Sequence, residues 1–132
     1  MENRWRKFFE VVNEINIEHK NIIVFIPTDK YFEQLPSKIT RSKKNFRDFV
    51  KNHVYAGYID TVMDWALGWM EPNKGKNVLE LKSLNGTVLR LDKKGDGLDN
   101  IRLNGMKVGY GWSVEKDDRK RAYHMIHGLI LS

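Results

Sequence analysis

Trp5, Phe8, Phe9, Val12 and Ile15 recur at helical spacing, with Arg6, Lys7, Glu10 and Glu14 between them. That periodicity predicts an amphipathic first helix ending near Asn16. After the polar turn Glu18 to Asn21, the run Ile22-Ile23-Val24-Phe25-Ile26 is β-branched and aromatic, the composition of a buried strand. Pro27 stops it, because proline has no N–H to give to a ladder. Thr28 is then placed to cap a short helix carrying Tyr31, Phe32 and Leu35, which Pro36 closes. Thr40 or Ser42 caps the next helix, where Phe46, Phe49, Val50, His53 and Val54 fall on one face. Gly57 marks the turn out of it. Thr61 opens a further helix expected over Val62 to Met70, with Trp65 and Trp69 one turn apart.

Pro72 to Lys76 is a polar, turn-rich break, and from Val78 onward the period changes to two. Leu79 and Leu81 alternate with polar residues, Asn85-Gly86 is a hairpin signal, and Val88 to Leu91 is the return strand. Ile101 and Leu103 alternate in another strand, and Asn104-Gly105 makes a second tight turn. Met106 to Val114 continues as strand, with a bulge or bend expected at Gly109 and Gly111. Glu115 to Arg121 reads as a charged connector and Ala122 to Leu131 as a closing strand. Helices come first and antiparallel strands follow, with one early strand that must join the later sheet; the fold class is α+β.

The chain has 132 residues, 41% hydrophobic and 30% charged, which fits one globular domain over 1–132 with a core of its own. The longest apolar run, Ile22 to Ile26, is far too short to span a bilayer. No apolar stretch of secretory length follows the start Met1-Glu2-Asn3-Arg4-Trp5-Arg6-Lys7. An intracellular or virion-associated setting is therefore expected unless a leader has been removed. Zero cysteines exclude disulfides, thiolate zinc sites and cysteine nucleophiles.

Four motifs in consistent order resemble the fasciclin (FAS1) family. Val24-Phe25-Ile26-Pro27-Thr28-Asp29-Lys30-Tyr31-Phe32 is similar to its strand, Ala-Pro-Thr-Asp turn and short aromatic helix, with Ile26 for the usual small residue. Phe49-Val50-Lys51-Asn52-His53-Val54-Tyr55-Ala56-Gly57 is similar to its Tyr-His pair and turn, with Asn52 where tyrosine is usual and Ala56 where proline is. Leu84-Asn85-Gly86 and Asn104-Gly105-Met106-Lys107-Val108 resemble its middle hairpins. Tyr123 to Ser132 resembles its last stretch, with His127 in place of aspartate and Ser132 in place of proline.

The resemblance implies a fasciclin-like β-sandwich or wedge of mostly antiparallel strands, with several helices packed at one side. Pro27, Thr28, Asp29 and His124 would be residues of the fold motif. It also implies a non-enzymatic module for adhesion or protein–protein contact, with another protein as its partner. In that family the region around the Tyr-His pair is implicated in receptor binding, which makes Asn52, His53 and Tyr55 candidate partner-binding residues here. His53 reads either as a core histidine bonded to a backbone carbonyl or as a ligand contact. Trp65 and Trp69 either seal the helical layer or form an exposed aromatic anchor.

Other chemistry is thinly supported. His124 and His127, three apart in a strand, point to opposite faces and cannot easily share an ion, so no metal or cofactor is expected. Asp92, Asp96 and Asp99 miss the calcium-loop spacing. No Gly-x-Ser-x-Gly elbow and no phosphate-cradling glycine loop occurs, so no catalytic residue is assigned. The net charge is +6, and Arg41, Lys43, Lys44, Arg47 and Lys51 form a basic helix face interrupted by Asp48. Nucleic-acid binding through that face is a lesser alternative. A structural or decorating subunit of a larger assembly, such as a viral particle, is the other.

Overall fold

The computed structural model of the chain describes residues 3–69, 77–95, 97 and 100–131. The break expected at Pro72 to Lys76 lies outside the described residues. The elements run α1 (Arg4–Glu18), β1 (Asn21–Pro27), α2 (Asp29–Phe32), α3 (Ser37–Thr40), α4 (Lys43–Asn52), β2 (Val54–Ala56) and α5 (Thr61–Ala66). The strands β3 (Val78–Lys82), β4 (Val88–Lys93), β5 (Ile101–Leu103), β6 (Met106–Lys116) and β7 (Arg119–Ile126) follow.

Among the described residues seven strands form one sheet, in the order β2-β1-β7-β6-β5-β4-β3. In it β1 and β7 pair in parallel, and the other pairs among the described residues are antiparallel. The expected α+β class therefore stands, but the sandwich does not. A sandwich needs two facing sheets, whereas this single sheet curls until its two ends almost meet. The Leu84 N–H, just past β3, donates to the Val54 carbonyl of β2 at 2.9 Å. The result is a nearly closed barrel.

That curvature explains why β1 reads as an unbroken apolar run. Ile23 and Phe25 face the barrel interior, where they meet Leu79, Leu81, Leu89, Leu91, Leu103 and Ile126. Ile22, Val24 and Ile26 face outward into a second core made with Phe8, Val12 and Ile15 of α1 and Phe46, Phe49 and Val50 of α4. A strand covered on both faces has no polar face to alternate. The last strands alternate because their outer face meets water, as the burial of Leu89, Leu91 and Lys93 on β4 illustrates.

Local chemistry sets the boundaries. Asn3 accepts from the Arg6 N–H at 3.0 Å to start α1, and Ser42 accepts from the Asn45 N–H at 3.1 Å to start α4. Thr28 does occupy the position before α2, yet its side chain makes no cap bond. Its Oγ1 is buried without a partner, while its N–H donates to the Ile126 carbonyl at 3.1 Å. Thr28 and Pro27 thus bind the chain to β7 through backbone rather than through a cap.

Several boundaries differ from expectation; among them, the closing strand expected over Ala122 to Leu131 spans Arg119–Ile126, and the short helix expected to carry Leu35 ends at Phe32. Val54 leaves the helix face on which its spacing places it and enters β2, paired with Val24. The helix expected to reach Met70 ends at Ala66, because Gly68 takes a left-handed φ of 78°. The charged connector Glu115 to Arg121 is the tip of a hairpin: Asp117 and Asp118, with φ of 51° and 64°, form the two-residue turn between β6 and β7. Residues 111–118 are exposed on both faces, so no alternation announces that hairpin.

Candidate functional site

The two elements that carry the sequence-derived candidates are the C-terminal end of α4 and the short helix α5. At the end of α4, His53 is fully buried between Phe8, 6.0 Å away, and Phe49, 4.6 Å away. Its Nδ1 lies 2.8 Å from the Phe49 carbonyl, and its Nε2 lies 3.1 Å from the Ile130 N–H. A carbonyl only accepts, so Nδ1 carries the proton and Nε2 is the acceptor. Burial pushes the imidazole pKa down to about 4, against the raising effect of the Phe49 carbonyl.

Asn52 is buried too. Its Nδ2 donates to the Ile130 carbonyl at 3.1 Å, and its Oδ1 accepts from Thr87 at 2.9 Å and from Asn85. Neighbouring side chains therefore clamp both edges of the Ile130 peptide. This arrangement joins α4, the β3–β4 loop and the C-terminal segment. Tyr55 is half-buried, and its ring packs on Gly57, where a Cβ would lie 2.6 Å from it.

On α5, Trp65 is fully buried in the barrel core. Beside it lies a buried cation that hydropathy does not foretell. Lys93 points inward from β4; its Nζ donates to the Trp65 carbonyl at 2.6 Å and the Ala66 carbonyl at 3.2 Å. The same nitrogen lies 5.1 Å from the centre of the Trp65 ring. A cation at the last carbonyls of a helix adds a donor beside the Gly68 and Gly97 N–H groups that already bond them, and it complements the helix dipole. Trp69 lies on the other side of Gly68 and is 69% exposed. The two tryptophans do not share a helix face, since the left-handed Gly68 turns the chain between them.

The Trp69 N–H donates to the Asp64 carbonyl at 2.8 Å, closing the turn after α5, and Met63 on that helix is exposed. Tyr58, 61% exposed, precedes the same helix, and its hydroxyl lies 3.3 Å from the Asp60 carboxylate. The charges of Asp64 and Asp60 raise the pKa of that phenol. The α5 segment thus carries three exposed side chains, Tyr58, Met63 and Trp69, with Asp60 and Asp64 between them in sequence, in a chain whose net charge is +6.

His124 faces the barrel interior and stacks on Phe25 at 5.9 Å. Its Nε2 is buried without a partner, and burial lowers its pKa to about 4. His127 lies past the end of β7 and is exposed. The basic face of α4 stands beside α1, with a groove of about 850 Å³ between them. Its cations are partly answered: Lys44 pairs with Asp48 at 3.1 Å and Arg47 with Glu14.

A Fasciclin domain model matches the sequence over residues 4–129. The chain belongs to the fasciclin domain family. No curated protein matches it. Within this fasciclin domain, Pro27 pairs with Ile126 and Phe25 with His124 where β1 meets β7. Asp29 opens α2 and is exposed.

The structure separates the five candidate partner residues. Asn52, His53 and Trp65 are interior, Tyr55 is half-buried, and Trp69 is at the surface. Sequence reasoning missed Tyr58 and Met63. The available signal was the short span from Gly57 to Thr61, which holds a tyrosine in a turn rather than on a core face. Among the described residues no helix is long and apolar enough to cross a membrane.

Proposed function

We propose that this fasciclin domain is a non-enzymatic protein-interaction module of the adhesion type. It meets another protein through the α5 segment, with Trp69 as the anchor and Tyr58 and Met63 as further contacts. The observation that carries this reading is the exposure of Trp69, 69%, together with that of Tyr58, 61%, at the two ends of α5. Large aromatic side chains and methionine are enriched in interface cores, and a few of them supply most of the binding energy. The carboxylates of Asp60 and Asp64 in the same segment favour a partner with basic as well as apolar groups.

The histidines support a structural rather than a catalytic reading. Both ring nitrogens of His53 are committed to backbone groups, so no lone pair is left to activate a nucleophile. The Tyr-His region of the family corresponds here to a buried clamp, which moves the contact surface away from Asn52 and His53.

The test immobilises the native chain, a Tyr58→Ala/Trp69→Ala variant and a Val88→Ala control side by side in extract from the native source. The expected result is a partner held by the native chain and the control and lost from the double variant, with equal melting temperatures. An identical set of bound proteins on all three would sink the assignment of the α5 surface.

A further inference from the structure

The β6–β7 hairpin leaves a strand edge open. On one side β7 is covered by β1, with Asn21 to Pro27 paired against Lys120 to Ile126. On the other side β5 pairs with β6 only at Arg102–Lys107 and Leu103–Met106. Among the described residues, no strand pairs with the outer edge of β6 from Gly111 to Lys116.

The direction of the backbone groups along that edge follows from the register. Lys120 stands opposite Glu115, yet its N–H donates away from β6, to the Lys20 carbonyl at 2.7 Å. Glu115–Lys120 is therefore a pair without mutual hydrogen bonds, and in an antiparallel ladder such pairs alternate with bonded ones. Ser113–Ala122 and Gly111–His124 are of the same kind. The N–H and C=O groups of Gly111, Ser113 and Glu115 accordingly point to the open side.

We propose that this edge pairs with the same edge of a second copy, antiparallel, about a two-fold axis through Ser113. In that register Ser113 faces Ser113 of the other copy and Gly111 faces its Glu115. These are the residues whose backbone groups point outward, so each pair exchanges both N–H···O bonds. No like charges meet, because each Glu115 lies opposite a glycine. Trp112, 36% exposed, and Val114, 43% exposed, share the outer face and fall opposite one another across the axis in both directions. Aromatic and β-branched side chains are favourable cross-strand neighbours. The edge also lacks the proline that would block such pairing, and its bulge sits back between Val108 and Gly111. The segment is self-complementary in hydrogen bonding, side-chain packing and charge, which selects a second copy over an unrelated strand.

So short an interface makes a weak, concentration-dependent dimer rather than a permanent one. Sedimentation equilibrium of the native chain from about 10 μM to about 1 mM is expected to show reversible dimerisation. Ser113→Pro removes only an outward N–H and should lower the association constant at least tenfold while leaving the circular dichroism and melting temperature unchanged. Val114→Lys should do the same if the proline variant fails to fold. Because the chain has no cysteine, Ser113→Cys gives a direct reading: mild oxidation should yield a covalent dimer much faster than with an exposed control, Glu18→Cys. A chain that stays monomeric throughout, a dimer that Ser113→Pro and Val114→Lys leave intact, or equal cross-linking of the two cysteine variants overturns the proposal.

Discussion

The Nε2 atom of His53 accepts a hydrogen bond from the Ile130 N–H at 3.1 Å, joining the end of α4 to the last segment of the chain. The same ring donates through Nδ1 to Phe49, so the bond depends on a neutral imidazole in one tautomer. A proton added to Nε2 would turn the acceptor into a second donor facing an N–H.

Acid should therefore unfold the domain in a defined window. Burial lowers the pKa of His53 and of His124 from 6.5 to about 4. The unfolded chain binds these protons first, so stability is complete above pH 6.5 and falls as pH drops towards 4. Each histidine contributes about 3 kcal/mol to that loss. Urea unfolding at stepped pH should show it. His124→Phe should reduce the slope by about half, and an unchanged slope would remove His124 from the account.

Lys93→Met keeps the length of the side chain but removes one donor from the Trp65 and Ala66 carbonyls, which keep the Gly68 and Gly97 N–H groups. The expected cost is about 2 kcal/mol, the contribution of hydrogen bonds from a charged donor. A midpoint of chemical denaturation equal to that of the native chain would mean that Lys93 does not hold the end of α5.

Thr28→Val should leave stability unchanged or raise it by up to about 1 kcal/mol. The hydroxyl is buried without a partner, and valine is close in shape. Were Thr28 a side-chain cap, the loss would instead be about 1 kcal/mol. Thermal unfolding of the purified variant distinguishes the two signs.

Trp65→Ala and Trp69→Ala should behave as opposites although the residues lie four apart. The first empties a buried site and should cost about 3–5 kcal/mol. The second, at the surface, should stay within about 0.5 kcal/mol of the native chain. Equal destabilisation would place Trp69 in the core and withdraw it as an interface anchor.

Gly111→Ala should destabilise by about 2 kcal/mol. A Cβ there would lie 2.9 Å from both the Tyr123 carbonyl and His124 Nδ1. Recovery of stability in the double variant Gly111→Ala/His124→Ala would assign most of the clash to the ring, and no recovery would assign it to the backbone.

The hydrophobic pattern was enough to locate α1, β1, α4 and the alternating strands β3 to β5. Each depends on a local period, or on its absence, and Asn104-Gly105 needs only two consecutive left-handed residues, with φ of 49° and 81°. The pairing of β1 with β7 was only partly implied: a lone early strand must join the sheet, but nothing local says that it does so in parallel beside the last one. The β6–β7 tip stayed hidden because a hairpin in water on both faces has no buried side to impose a period. Closure into a barrel depends on contacts between residues some thirty or more apart, Leu84 to Val54 and Thr87 to Asn52, and was beyond the reach of any window along the chain.

The candidate site divides the same way. That His53 was worth attention follows from the resemblance of its stretch to the family's Tyr-His motif, and that Trp65 and Trp69 were follows from residue type and spacing. Which of them faces water was decided by the tertiary structure. His53 is enclosed because α1, α4 and the C-terminal segment converge on it, while a single left-handed glycine at 68 sends Trp69 outward and leaves Trp65 inside. Spacing records which residues share a face of one element. Burial depends on which distant elements come to cover that face.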